Sequence, residues 1–382
     1  MKSPTSDTQL RLLTIRVWPV LALAVFAQPA GAEINVRDYG AKGDNVTDDT
    51  ASIRAAVAAA QRAYTLTKSS VPGGHGGIPS RPEIVFPSGR YLITEAIYIA
   101  GGVVRGKGEA LLIQKHPDKD LITSQNAWRM TISGLTFVGG RNQLQLSNAN
   151  DDGGFIQISE CRFYGAAAVA VVMGKGSNST QLKIRDCVFV EPEQALVSYT
   201  DETNVTDCWI TSSRKMKNKA VIENRGGRMV LEKILGVPRV NGTDQRWVDV
   251  YFGNLTCRNF RFGGEGGGFT PVVNFAKFIR APASFGLGPS IGLEGCQIYA
   301  KGNSKRRCAV SVEEIPNGIT IRECSLSVPP IGSRRERRLD LRTYFLGARS
   351  SMLHFQLRQN RSDQQYDLPR RLQQPIVGKP TR

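Results

Sequence analysis

The sequence predicts an all-β chain wound into a parallel solenoid, and three observations carry that prediction. A short phrase recurs, with an apolar residue, two others, Cys or an apolar residue, one other and a final apolar residue. It reads ITISGLTF, IQISECRF, LKIRDCVF, TNVTDCWI, IGLEGCQI and ITIRECSL, and its fourth core position falls at Leu135, Cys161, Cys187, Cys208, Cys296 and Cys324. Weaker copies place Ile234 and Phe260 there, so successive spacings are 26, 26, 21, 26, 26, 36 and 28 residues. A second apolar run (AVAVV, ALVSY, AVIEN) follows several of the phrases, with Gly, Asn and Asp turns and no helical periodicity between. Short alternating runs without crossover helices cannot form βαβ units, whereas a repeat of 20–30 residues with several strands suits one solenoid coil.

The elements follow in chain order. Lys2, Arg11 and Arg16 precede or enter an apolar stretch at 17–27 and a small-residue site at Ala30, Gly31 and Ala32. This predicts a signal peptide over 1–32 and a mature chain from Glu33. A solenoid must cover its open first coil. Residues 34–62 supply a cap: a short strand at 34–36, then Thr47, Asp48 and Asp49 before an Ala-rich helix at about 50–63 that carries Ile53 and Val57 on one face. EIVFPSGRYLI then reads as strand with a turn at Pro87, Ser88 and Gly89, and the repeats run on to about 330. Residues 331–382 hold twelve basic and four acidic residues with Pro and Gln, and predict a weakly ordered basic tail with a short helix near 335–346.

In-register coils stack at about 4.8 Å, so residues one repeat apart become neighbours. Cys161, Cys187, Cys208, Cys296 and Cys324 then form a buried column of free thiols, because parallel in-register Cβ atoms are poorly placed for a disulfide. A strained Cys187–Cys208 bridge is the alternative. Zinc is not expected, since there is no C-x-x-C and the histidines are only His75, His116 and His354.

The run V-x-D-Y-G-A-x-G-D-x-x-T-D-D-T-x-x-I at 36–53, followed by VFPSGRYLI and VVRGKGEALLI, resembles the opening of the pectate-lyase superfamily. With the repeats, the resemblance covers residues 33–330. It implies a right-handed parallel β-helix, single-stranded and pectin-lyase-like, with Asp38, Asp44, Asp48 and Asp49 as cap residues. It does not fix the reaction, because one scaffold hosts several chemistries. In the polygalacturonases of that superfamily the catalytic residues lie in the turn after the repeated phrase, with an Asn-Thr-Asp, Asp-Asp, Gly-His-Gly, Arg-x-Lys pattern. Here those turns hold Tyr164, Gly165, Ala166 and Ala167, then Glu191, Pro192, Glu193 and Gln194, then Arg214 to Lys219 without a histidine.

The resulting candidate groove places Glu191, Glu193, Arg214 and Lys215 as catalytic residues and Arg141, Tyr164, Asp201 and Glu202 as substrate-binding residues on consecutive coils. Elimination from a uronate needs a base at the α-carbon and a cation beside the carboxylate, roles for Arg214 or Lys215. Glu191, Glu193, Asp201 and Glu202 form an oxygen-ligand set that suits Ca2+. The loops at Asp151 to Gly154, 263–268 (GGEGGG) and 284–288 (SFGLG) are candidates for shaping the cleft.

Charge narrows the partner. Of the net +17, residues 331–382 carry +8 and 1–32 carry +2, which leaves the body +7. A mildly basic exported protein suits an acidic polymer, and no nucleic-acid recognition motif is present. The expected protein is a secreted or periplasmic monomer, without a membrane span after cleavage, that meets an extended polyuronate- or pectin-like polysaccharide by β-elimination or glycosidic hydrolysis. A non-catalytic glycan-binding or surface β-helix is the alternative, supported by Ala166 and Ala167 at the family's first acid position. A trimeric spike is disfavoured by the lack of a trimerising C-terminal domain.

Overall fold

Each coil is built from three short strands whose alternate residues turn inward. The computed structural model describes residues 33–63, 65–67, 78–80, 82–125, 127–147, 154–174, 181–212, 219–237, 245–262, 273–278, 290–298, 308–312, 318–326, 331–333 and 354–357. The expected signal peptide, the cleft loops at 263–268 and 284–288, residues 151–153, the helix at 335–346, Arg214, Lys215 and His75 lie outside those residues. Among the described residues all strand pairings are parallel, apart from one antiparallel pair, Thr65–Thr67 with Ile78–Ser80. The architecture is a parallel β-helix, as the spacing predicts.

In most coils the repeated phrase is two strands rather than one, although it stays one bent strand at Trp128–Gly139 and Gly318–Leu326. In the coil around Cys161 these are Phe155–Ser159 and Arg162–Tyr164. Between them one residue takes a left-handed conformation, and it does so at Gly134, Glu160, Asp186, Asp207, Lys233, Asn259, Gly295 and Glu323, with φ between 50 and 66°. This bend turns the chain from its first face to its second, and the next residue points into the core. That is why the fourth phrase position is apolar or Cys. The third strands (Asn142–Leu146, Val169–Met173, Gln194–Ser198, Ala220–Asn224, Gln245–Val250) are the second apolar runs, and they belong to a ten-stranded parallel sheet.

The core is a set of ladders. Phe137, Phe163 and Phe189 stack on successive coils with ring centroids 5.1 and 4.7 Å apart, each contact worth about 0.5–1.5 kcal/mol beyond burial. Their column continues through Ile210, Gly236 and Phe262. The space at Gly236 is taken by Trp247, which packs edge-on against Phe260 and Phe262. Six cysteines (Cys161, Cys187, Cys208, Cys257, Cys296 and Cys324) are buried and free, so Cys187 and Cys208 are not bridged. Burial pushes the Cys161 and Cys257 thiols well above their usual range.

The cap helix forms as read, but the first strand ends at Asn35 and a 3-10 turn, Val36–Tyr39, follows it. The helix spans Thr50–Arg62 and buries Ile53 and Val57. Three of the four cap aspartates tie it down. Asp44 accepts from the Thr47 and Val46 amides and is held below the usual carboxylate range by them. Asp48 accepts from Thr50 and Thr94. Asp49, fully buried, reaches back to the Lys42 and Gly43 amides. Strand pairing does not end at 330: Ile331–Ser333 pairs with Cys308–Val312, and His354–Leu357 with Gly318–Leu326. Two segments inside the expected tail therefore extend the sheets.

Candidate functional site

The turn between second and third strands brings some of the sequence-predicted residues together. The amide of Ala168 donates to the Arg141 carbonyl and that of Glu193 to the Ala166 carbonyl, so Arg141, Ala166 to Ala168 and Glu193 do stack on consecutive coils. Their charges are engaged with neighbours. The Arg141 guanidinium makes two 2.9 Å bonds to Asp120, which raise its pKa. Glu193 pairs with Lys219 at 2.8 Å. Glu191 sits at φ 51°, and its amide donates to Thr211 Oγ1. Tyr164 lies on the second strand, and its carbonyl accepts from buried Gln143.

The proposed Ca2+ set is not assembled. Glu191 and Glu193 precede the strand Gln194–Ser198, whereas Asp201 and Glu202 follow it, at the next corner. Five extended residues separate the two pairs by about 16 Å. Glu202 instead accepts from Asn204 and Gln181, and Asp201 is exposed. Among the described residues no three His, Cys, Asp or Glu side chains converge as metal ligands.

A different cluster stands on the outer face of the third-strand sheet, which sequence reasoning missed. Val197, Glu223 and Asp249 are Cα partners on three successive coils. Three residues earlier on their strands stand Gln194, Ala220 and Arg246, and two residues later Tyr199, Arg225 and Tyr251. The result is a three-by-three grid. Gln194 donates through Nε2 to Glu223 Oε1 at 2.9 Å, and Arg225 donates through Nε to Glu223 Oε2 at 2.6 Å. Arg246 Nε donates to both Asp249 oxygens, at 2.8 and 3.0 Å. The Arg225 guanidinium lies 4.0 Å from the Tyr251 ring centroid and 5.8 Å from that of Tyr199.

Backbone packing at the adjoining corner fixes this grid. Gly253, at φ 76°, comes so close to Gly227 that a Cβ would lie 1.8 Å from its carbonyl oxygen. Asn224 turns in beneath, donating to the Gly227 carbonyl and accepting from the Gly226 amide. Asp249 is fully buried and Glu223 nearly so, while the Arg225 side chain is 32% exposed. Burial, with Glu223 and Asp249 adding to it, raises the Tyr251 phenol. Charges removed from water persist only when paired, and here two carboxylates are held one coil apart, about 5 Å between Cα atoms. The sequence signal is an acid that interrupts an apolar run, Glu223 in AVIEN and Asp249 in WVDV.

Residues 33–216 match the family model described as rhamnogalacturonase A/epimerase, pectate lyase-like. Gln194 and Tyr199 fall inside that match; Glu223, Arg225, Arg246 and Asp249 lie beyond it. Among curated proteins, the non-secreted LysM effector LysM19 of Penicillium expansum is 43% identical over 72 residues, which is 18% of this chain and 5% of that protein. Among solved structures, the A-module of mannuronan C-5 epimerase AlgE4 from Azotobacter vinelandii is 16% identical (78% of this chain, 97% of that one, TM-score 0.33). The catalytic unit of a GH87 α-1,3-glucanase from Streptomyces thermodiastaticus is 16% identical (80% and 65%, TM-score 0.36). DFA-IIIase from Arthrobacter chlorophenolicus is 11% identical (79% and 91%, TM-score 0.41).

Proposed function

The chain is a pectate-lyase-like parallel β-helix protein, and from that premise we propose that it is an exported enzyme cleaving an extended acidic polysaccharide along its third-strand sheet. The observation that carries this reading is the Glu223–Asp249 pair, two buried carboxylates in register on adjacent coils, each bound by an arginine. Hydrolysis is the reaction such a pair serves. Glu223, beside the partly exposed Arg225, is the carboxylate placed for acid–base work on the glycosidic bond, and Asp249 supplies the second carboxylate. Arg225 meets a sugar carboxylate. The basic body and the leader-like residues 1–32 support an exported protein acting on a polyanion, and no described helix is long and apolar enough to cross a membrane.

A second reading is β-elimination, favoured by Arg225 standing between Tyr199 and Tyr251. There the guanidinium neutralises the developing enolate. The earlier catalytic set, Glu191, Glu193, Arg214 and Lys215, is kept as the competing placement of the same activity. Incubating the full-length protein with polygalacturonate, alginate and neutral glucans, and following new reducing ends with ultraviolet absorbance, tests all of these. Reducing ends alone mean hydrolysis, both signals mean elimination, and neither signal with any polymer leaves a glycan-binding or surface protein.

A further inference from the structure

Five of the eight fourth positions in the repeated phrase are cysteine, although Leu135, Ile234 and Phe260 show that the same place admits a larger side chain. Packing asks only for an apolar residue there, so it does not account for sulfur five times. The cysteines fall into two columns. Cys161, Cys187 and Cys208 stand on three successive coils, between the in-register rows Ser159, Arg185, Thr206 and Arg162, Val188, Trp209. Cys296 and Cys324 form the second column, between the partners Glu294 and Arg322 and the partners Gln297 and Ser325. All five side chains point the same way. Each Sγ donates to the carbonyl two residues back, on Ser159, Arg185, Thr206, Glu294 and Arg322, at 3.1–3.5 Å. The Cys187 thiol also hydrogen-bonds those of Cys161 and Cys208, and the Cys296 thiol bonds that of Cys324. All five are free and no more than 2% exposed.

We propose that each column is a two-coordinate site for a soft monovalent metal ion of the Cu(I) type, held between sulfurs on adjacent coils. Thiolate sulfur selects such ions. A metal–sulfur bond of about 2.3 Å, the zinc value, makes a linear sulfur–metal–sulfur span of about 4.6 Å, and the coil step is about 4.8 Å. Zinc takes a tetrahedron of four ligands, which a line of sulfurs does not give, whereas two sulfurs suffice for Cu(I). As the ion enters, one S–H bond breaks and its proton passes to water. That sulfur bonds the metal, and its neighbour adds a lone pair. The metal keeps its oxidation state and the net charge of the core is unchanged, as burial requires. The carbonyl oxygens that accept from the thiols turn their negative ends toward the ion.

The test uses full-length protein, reduced and kept free of oxygen. It is incubated with Cu(I) or Zn(II), both as the folded protein and during refolding from urea, and unbound metal is then removed. Metal per chain, the ultraviolet sulfur-to-copper band and the melting temperature are measured. About one Cu(I) per column is expected in at least one of the two loadings, with a higher melting temperature. Cys187→Ala loses the ion of the first column, because Cys161 and Cys208 then stand two coil steps, about 9.6 Å, apart. Cys161→Ala keeps it, since Cys187 and Cys208 remain adjacent. Cys296→Ala loses the ion of the second column. Cys257→Ala loses neither, because Cys257 lies on the first strand in register with Leu231 and Leu293, off both columns. Uptake that Cys187→Ala or Cys296→Ala leaves unchanged overturns the site at that column. No uptake in either loading, by protein whose melting curve shows it folded, overturns both sites. Zn(II) held as strongly through the same cysteines also overturns the proposal.

Discussion

Glu223 and Asp249 are Cα partners on adjacent coils, and each is met by an arginine of its own chain segment, Arg225 two residues on and Arg246 three residues back. The two pairs therefore reach outward from opposite sides of one row. Asp249 is sealed against Arg246, and Glu223 lies on the side that opens through Arg225. This asymmetry assigns different consequences to removing each acid.

Glu223→Gln keeps the shape and one of the two bonds that Gln194 and Arg225 donate to it, next to an arginine that is partly exposed to water. It is expected to lower turnover by about 10²–10⁴-fold with little change in melting temperature. Asp249→Asn removes the carboxylate that accepts twice from Arg246 in a buried pair, a change that costs up to about 3–5 kcal/mol, so both stability and activity fall. Thermal unfolding and initial rates measured on the same two preparations separate these outcomes; equal loss of stability in both would make the row a structural ion-pair ladder.

Much of the coil was legible because core ladders demand apolar residues at fixed spacing, and the 26-residue recurrence of Leu135, Cys161 and Cys187 reports that demand directly. The bend was not legible. Glu160, Asp186, Asp207, Lys233 and Asn259 share a left-handed backbone conformation but no common chemistry, so one alternating phrase concealed two strands. The site was missed for a related reason. Glu223 and Asp249 carry no motif, and only the in-register stacking of coils at positions 26 residues apart makes them neighbours.

The bend itself is testable at Glu160. A β-branched side chain tolerates φ 55° poorly, whereas glycine adopts it freely. Glu160→Val is expected to destabilise the fold by about 1–2 kcal/mol, and Glu160→Gly to leave it within about 1 kcal/mol of the parent. Urea unfolding of both variants checks the sign. A stable Glu160→Val protein would mean that the phrase runs straight.

The thiol columns set an alkaline limit on stability. Burial raises the folded-state pKa of Cys161 and Cys257 above the ordinary 9.0. Their contribution is therefore complete below pH 9. Above it the unfolded chain ionises while the folded one does not, and each thiol removes about 1.4 kcal/mol per pH unit. Denaturant midpoints should fall steadily between pH 9 and 10.5, and a double Cys161→Ala, Cys257→Ala variant should show a shallower fall from a lower starting stability. A midpoint independent of pH over that range would show that the thiols ionise in the folded state.

The corner and the sheet make opposite predictions for Glu193. Its carboxylate is spent on Lys219, and the pair is partly exposed, at 28 and 43%. Such pairs contribute about 0–1 kcal/mol, so Glu193→Gln is expected to shift stability by no more than that. If the reacting carboxylates are Glu223 and Asp249, turnover by Glu193→Gln stays within about twofold of the parent, since the residue stands on the turn before the strand and not in the Glu223 row. If the reaction runs at the corner, the same substitution removes a general acid or base and lowers turnover by about 10²-fold or more. Rates for Glu193→Gln and Glu223→Gln on one polymer decide the matter: loss confined to Glu193→Gln would return the chemistry to the turn that holds Glu191 and Glu193.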